Sequence, residues 1–144
     1  MNGLKYLAII LILLSLGFNS ALAQESVIKV KVIGIEEIEG QISIGLFNSS
    51  EDFPKKNPNN TGVSIKVDSS SVEYTFEKLS NGEYALAIYH DENSNGELDR
   101  SFFGSPTEDY VFSNYATGSF GPPSFEDSRF NLVDSLEIVL GLQN

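Results

Sequence analysis

Cysteine is absent from the chain, and histidine occurs only once. The lack of cysteine excludes disulfides, thiol catalysis and cysteine-ligated zinc sites. A lone histidine cannot build a zinc site from several imidazoles. Basic residues are also scarce, because nine lysines and arginines stand against 20 aspartates and glutamates. Such an acidic protein is unsuited to nucleic acid or anionic membranes as partners, whereas it is compatible with divalent cations.

One long apolar run is present, and it lies at the N-terminus. Lys5 precedes an apolar stretch over residues 6–18, and residues 21–23 are Ala-Leu-Ala. This order predicts a signal peptide over residues 1–23. The alternative, a membrane anchor, needs about 20 apolar residues, and we expect no integral anchor after cleavage. We expect the mature protein, residues 24–144, to be secreted across the inner membrane into the periplasm or the extracellular space.

The remaining sequence alternates apolar and polar residues with the period of two that is typical of strands. Turn-forming residues separate the alternating segments, and the mature chain has the size of one domain. The pattern predicts an all-β fold, a seven-stranded antiparallel β-sandwich with Greek-key, immunoglobulin-like connections, and a closed barrel is the alternative. The seven predicted strands lie within residues 26–35, 40–48, 61–68, 71–79, 82–90, 129–133 and 135–142.

A long segment rich in glycine, proline and aromatic residues interrupts the alternation at residues 102–125. Irregular segments of this length in compact domains tend to be functional or disordered, and disordered segments contain few aromatics. Two interpretations remain open. The aromatic side chains close one end of the sandwich, or a partly exposed surface at Tyr110, Phe112, Tyr115 and Phe120 binds a carbohydrate or peptide.

The most specific motif is the run Asp-Glu-Asn-Ser-Asn-Gly-Glu-Leu-Asp at residues 91–99. It fits the first nine positions of a calcium loop of the EF-hand type. Calcium needs several hard oxygens around one point, and this spacing lets alternate side chains turn inward while a glycine permits the sharp turn. The predicted metal ligands are Asp91, Asn93, Asn95, the backbone carbonyl of Glu97, and Asp99.

The loop departs from a true EF-hand in two respects. Phe102 occupies the twelfth position, where a bidentate glutamate normally closes the calcium shell, and a strand precedes the loop instead of a helix. A further ligand would have to come from Glu108, from Asp109 or from water. With Asp91 and Asp99 as the charged ligands, we expect a calcium dissociation constant on the order of 10⁻⁴–10⁻³ M. Magnesium is less suitable, because it retains its own waters.

The alternative to a metal site at this position is a plain hairpin turn. Asn95-Gly96 is the strongest short hairpin signal, and aspartate and asparagine favour turns by bonding to their own backbone. The sequence by itself leaves both interpretations open.

No catalytic residue is predicted. His90 would need an orienting carboxylate and a nucleophile to act as a general base, and the sequence pattern supplies neither. We expect this histidine to form structural hydrogen bonds. A nucleophile elbow and a phosphate-binding glycine loop are both absent from the sequence. A hydrolase that uses His90 or a pair of carboxylates is the less favoured alternative to a binding module.

Three stretches together resemble the bacterial family DUF2141, whose members are secreted proteins of unknown function. They are Tyr-His-Asp-x-Asn-x-Asn-Gly-x-Leu-Asp at residues 89–99, Phe-Gly-x-Pro-x-Glu at residues 103–108 and Pro-Pro-Ser-Phe at residues 122–125. The resemblance extends over residues 27–142. It implies a secreted protein with a transthyretin-like sandwich, and it implies no activity. We therefore expect a non-catalytic binding or structural module, with its protein, peptide or glycan partner undetermined.

Overall fold

The computed structural model describes residues 25–55 and 61–143. These residues form two β-sheets that do not close into a barrel, so the predicted all-β class is confirmed. The predicted signal peptide, residues 1–23, lies outside the described residues. Within the described ranges, no helix has the length and apolar character needed to cross a membrane.

Eight strands and two short helical segments follow one another along the described residues. The predicted count of seven strands is wrong, because β6 lies inside the segment that was predicted to be a loop. A strand of three residues is too short to produce a recognisable alternation. The elements are β1 Ser26–Ile33, β2 Gln41–Phe47, β3 Thr61–Lys66, β4 Ser71–Leu79, β5 Gly82–Asp91, β6 Tyr110–Phe112, a 3₁₀ turn Ser113–Tyr115, α1 Phe125–Ser128, β7 Phe130–Leu132 and β8 Ser135–Gly141.

The two sheets contain three and five strands. The smaller sheet has the order β4-β1-β8, and the larger has the order β3-β2-β5-β6, with β7 paired to the first residues of β5. Strands β1 and β8 run parallel, so the prediction of a fully antiparallel sandwich is wrong at this pair. The two strands are far apart in sequence, and no hairpin therefore fixes their relative direction.

The main core lies between the two sheets and follows the predicted alternation. Ile28, Val30 and Val32 of β1 are each 0% exposed, and they belong to one buried cluster with Ile44 of β2 and Leu86 of β5. Successive strand residues point to opposite faces, so the intervening residues of β2 and β5 lie on the outer face of the larger sheet. That outer face carries the features described below.

A second, aromatic core covers part of the outer face of the larger sheet. Phe47 of β2 and Phe112 of β6 point outward, and Phe53 and Phe125 pack over them from the adjoining segments. The ring centroid of Phe53 lies 5.2 Å from Phe47, 5.8 Å from Phe112 and 5.9 Å from Phe125, all in edge-on geometry. Part of the aromatic segment over residues 102–125 is therefore anchored by packing.

Because Phe53 contacts the other three rings of this cluster, Phe53→Ala should lower the free energy of unfolding by about 3–5 kcal/mol. Phe102→Ala is the matched control, since the Phe102 side chain is 98% exposed, and it should change stability by no more than about 0.5 kcal/mol. Urea denaturation of both variants and the wild type measures the difference. Equal losses in the two variants would show that the aromatic core does not stabilise the fold.

Candidate functional site

The candidate metal loop begins where β5 ends. Strand alternation places His90 toward the core and Asp91 on the outer face, opposite Gln41 in the register of β2 with β5. Asp91 is nevertheless 0% exposed. The side-chain amide of Gln41 donates a hydrogen bond to Asp91 Oδ2 at 2.7 Å. A carboxylate is thus held inside the protein at the first position of the motif.

The Asp91 carboxylate organises the loop that follows it. Its Oδ1 accepts a hydrogen bond from the backbone N–H of Asn95 at 2.9 Å, and its Oδ2 accepts one from Gly96 at 2.8 Å. Burial by itself would raise the pKa of Asp91, but hydrogen bonds from Gln41 and from the backbones of Gly96, Asn95 and Ser94 outweigh it and lower the pKa below its ordinary value. The carboxylate therefore stays ionised at neutral pH.

Three side chains of the loop meet at Asp99, where the two asparagines contact the carboxylate through their amide nitrogens. The Asn93 amide nitrogen donates to Asp99 Oδ2 at 2.6 Å, and the Asn95 amide nitrogen donates to Asp99 Oδ1 at 2.9 Å. The amide oxygens are also engaged, because Asn93 Oδ1 accepts from the N–H of Asn95 and Asn95 Oδ1 accepts from the N–H of Glu97. The loop is thus closed by its own hydrogen bonds around the Asp99 carboxylate.

Glu108 joins the two ends of the loop from outside it. Glu108 is 6% exposed, and its carboxylate accepts hydrogen bonds from the N–H of Glu92 at 3.0 Å and of Asp99 at 2.9 Å. Of the two external ligands that the sequence suggested, the structure brings Glu108 to the loop. Asp109 instead uses its backbone carbonyl to accept a hydrogen bond from the N–H of His90 at 2.8 Å.

An acidic cavity of about 550 Å³ lies beside the loop. Glu39, Glu92, Asp99 and Glu108 contribute carboxylates to its lining, together with Asn93. In the part of the chain that the structure describes, no three histidine, aspartate or glutamate side chains are grouped closely enough to hold a metal ion. A cation in this region would therefore also need amide and backbone oxygens as ligands.

His90 lies in the interior beneath the loop. Its ring is 1% exposed, and Nε2 is 2.8 Å from the backbone carbonyl of Glu39. This contact ties the end of β5 to the segment that precedes β2. The histidine occupies a structural position and does not present its ring to solvent.

The four aromatic residues predicted to bind a ligand differ in exposure, and three of them line one groove. Phe112 is 9% exposed within the aromatic core, and Tyr110 is half-buried. Tyr115 is about half-exposed and accepts a hydrogen bond from the N–H of Gly141. Phe120 is fully exposed. Tyr110, Phe112 and Phe120 line a groove of about 640 Å³, which Tyr115 does not line.

Sequence reasoning missed the exposed pair that follows the loop. Phe102 and Phe103 are 98% and 92% exposed, and their ring centroids are 5.5 Å apart. Phe103 lines the same groove as Phe120. The only available signal was the adjacency of the two phenylalanines, which by itself does not distinguish a buried pair from an exposed one.

Sequence reasoning also missed Gly40, which packs against the start of the loop. Its φ angle is +64°, and a Cβ atom at this position would collide with the backbone carbonyl oxygens of Asp91 and Glu92. In the sequence, Gly40 is only the first residue of the predicted strand at residues 40–48. Its contact with the loop depends on the pairing of β2 with β5, which the local sequence does not reveal.

The comparisons with known proteins bear on family membership. The family model described as an uncharacterized protein conserved in bacteria (DUF2141) matches residues 30–139. This match confirms the resemblance and includes both the loop at residues 91–99 and the aromatic segment. The searches of curated proteins and of solved structures gave no match.

Gly40→Ala should be far more destabilising than Gly104→Ala, although both glycines have positive φ angles. Gly104 has a φ of +85° but open space around its missing Cβ, so the left-handed backbone alone should cost about 1–2 kcal/mol. Gly40→Ala adds the collision with the loop backbone and should cost about 3 kcal/mol or more. Thermal and urea denaturation measure both losses. Similar values for the two variants would contradict the proposed contact.

Acidification should destabilise the protein through Asp91. Its pKa is lower in the folded state than the value of about 3.9 expected when unfolded. The resulting stabilisation is complete above the unfolded pKa and disappears as the pH falls through the folded pKa. We therefore expect the free energy of unfolding to fall below about pH 4.

Asp91→Asn should flatten this acid dependence and reduce stability at pH 7 by about 1.5–3 kcal/mol, because hydrogen bonds to a charged acceptor are lost. Asp68→Asn, at an exposed position, is the control and should leave the pH profile unchanged. Urea denaturation at a series of pH values gives both profiles. If Asp91→Asn keeps the full acid dependence of the wild type, other carboxylates cause the loss of stability at low pH.

Proposed function

The chain belongs to the DUF2141 family, and from that premise we propose that it is a secreted, non-catalytic binding module with a calcium loop at residues 91–99. In this proposal residues 1–23 are a leader that is removed on export. The two sheets are connected as a Greek-key sandwich of the transthyretin or immunoglobulin kind. The burial of the single histidine, His90, supports a role other than catalysis.

The convergence of Asn93, Asn95 and Asp99 is the observation that carries the calcium proposal. Both amides lie within 2.9 Å of the same carboxylate. Rotating an amide by half a turn replaces its nitrogen with its oxygen at nearly the same position. The three side chains can therefore present oxygens to one cation, as the motif requires.

Calcium binding in this arrangement has a definite cost. The amide oxygens of Asn93 and Asn95 would give up the hydrogen bonds that they accept from the loop backbone. Each such bond contributes about 0.5–1.5 kcal/mol. The exchange supports the weak affinity expected from the sequence, a dissociation constant on the order of 10⁻⁴–10⁻³ M.

Glu108 supports the proposal by its position. It is bonded to both ends of the loop, where the sequence lacks the closing glutamate. Its carboxylate also lines the acidic cavity with those of Glu39, Glu92 and Asp99. Because no three acidic side chains of the described residues are close enough to hold a metal ion, Glu108 would act together with amide and backbone oxygens of the loop.

A second candidate function is ligand binding by the aromatic segment over residues 102–125. Phe102, Phe103 and Phe120 are each more than 90% exposed. Phe103 and Phe120 line the same groove, and exposed large aromatics beside a groove are typical of interaction surfaces. The ligand classes suited to such a surface are a glycan, a peptide or a protein loop.

Calcium should stabilise the purified protein after treatment with a chelator. The stabilisation should be about 1.4 kcal/mol at ten times the dissociation constant and about 2.7 kcal/mol at 100 times. We expect the melting temperature to rise by several degrees at millimolar calcium, and magnesium at equal ionic strength to have a smaller effect. Differential scanning calorimetry measures the shift.

Two variants test where the ion binds. Asp99→Asn removes a charged ligand and should abolish most of the calcium-dependent shift, whereas Asp68→Asn, which is outside the loop, should retain it. An unchanged melting temperature in the wild type at millimolar calcium would refute the calcium loop and leave the hairpin interpretation. A shift that persists in Asp99→Asn would place the ion elsewhere.

A further inference from the structure

The outer face of the larger sheet carries an open groove beside the aromatic core. Strand register aligns Gly62 of β3, Gly45 of β2 and Ala87 of β5 in one row, and these small residues keep the floor low. The next row across the sheet contains Tyr89 of β5 opposite Tyr110 of β6. The floor thus lies between the aromatic core on one side and two tyrosines on the other.

Three depressions that share lining residues make up this groove. The first, of about 230 Å³, lies over Gly45 and Ala87, and the middle one, of about 370 Å³, shares Ala87 and Tyr89 with it. The third, of about 640 Å³, shares Tyr110 with the middle one and ends at Phe120. We call the whole depression from Gly45 to Phe120 the sheet groove.

The sheet groove is almost neutral on an acidic protein. Among the described residues that line it, only Glu97 and Arg100 are charged, and their charges are opposite. The whole chain has 20 acidic residues against nine basic ones. The guanidinium of Arg100 donates a hydrogen bond to the carbonyl of Gly104 at 3.0 Å. Charge complementarity therefore favours an uncharged ligand over a polyanion or a polycation.

The residues that line the sheet groove narrow the class of ligand further. Aromatic residues line all three depressions, and serines and threonines line the two outer ones. A sugar unit combines an apolar C–H face, which packs on an aromatic ring, with hydroxyls that exchange hydrogen bonds. A peptide could not add as a strand to β2 or β5, which are already paired on both sides, and could pair only along the end strands β3 and β6.

We infer that the sheet groove binds an uncharged glycan chain, with Tyr89 and Tyr110 as its stacking faces. This inference rests on the proposed function as a binding module and extends the ligand surface beyond the aromatic segment to Gly45 and Ala87. The Tyr89 hydroxyl donates a hydrogen bond to the carbonyl of Gly96 at 2.9 Å. The loop at residues 91–99 thereby positions one of the two stacking rings.

The test is a nuclear magnetic resonance titration of the isotope-labelled protein with a panel of neutral oligosaccharides: cellohexaose, maltoheptaose, xylohexaose and chitohexaose. An uncharged peptide of alternating valine and threonine serves as the competing ligand class. We expect at least one sugar to shift the amide resonances of Gly45, Ala87 and Tyr89 saturably. Each titration is performed once with calcium and once with a chelator.

Ala87→Phe fills the floor of the groove and should weaken sugar binding at least tenfold. Val139→Phe is the matched control, because Val139 is exposed on the outer face of the smaller sheet, and it should bind like the wild type. Shift mapping on the wild type needs no variant, so a folding defect in Ala87→Phe leaves the test intact.

The outcomes separate this inference from the calcium proposal. Saturable sugar shifts in the groove with chelator present support the inference even if calcium has no effect on stability. Calcium stabilisation without groove shifts for any sugar supports the proposed function and overturns the inference. Groove shifts caused only by the valine–threonine peptide also overturn it, as do sugar shifts confined to residues outside the groove.

Discussion

The buried carboxylate of Asp91 is the interaction on which the site depends. A carboxylate removed from water costs several kcal/mol unless hydrogen bonds replace its hydration. Gln41, Asn95 and Gly96 supply these bonds, one from the neighbouring strand and two from the loop. The loop conformation, the end of β5 and the pairing with β2 are therefore coupled, because a change in any of them would leave this charge unsatisfied.

Much of the fold could be predicted because the core follows a local rule. The alternation in β1 and β2 is a property of neighbouring residues, and the buried residues Ile28, Val30 and Ile44 follow it. The direction of β8 against β1 could not be predicted, because a strand shows the same alternation in parallel and antiparallel pairs. Strand β6 was missed because only its pairing with β5 defines it, and its three residues show no local pattern.

The candidate site also has features that the sequence could predict and features that it could not. The proximity of Asn93, Asn95 and Asp99 follows from spacing within nine residues, whereas the sequence did not reveal that the amides contact Asp99 through their nitrogens. The sequence could not distinguish Glu108 from Asp109 as the external ligand, because adjacent acidic residues differ only in which side of the chain they face. The exposure of Phe120 was equally undetermined, because a phenylalanine is usually buried, and only the tertiary fold shows that this one is exposed among the described residues.

Two adjacent side chains of the loop at residues 91–99 face two different environments. Asp99 faces the acidic cavity, whereas Leu98 faces the sheet groove. A cation bound on the acidic side would restrict the backbone that carries both side chains. The same backbone includes the carbonyl of Gly96, which accepts the hydrogen bond from the Tyr89 hydroxyl. Ordering one wall of a groove in advance reduces the entropy that a second ligand must lose. Because such coupling is reciprocal, a ligand in the sheet groove would in turn tighten calcium binding by the same factor.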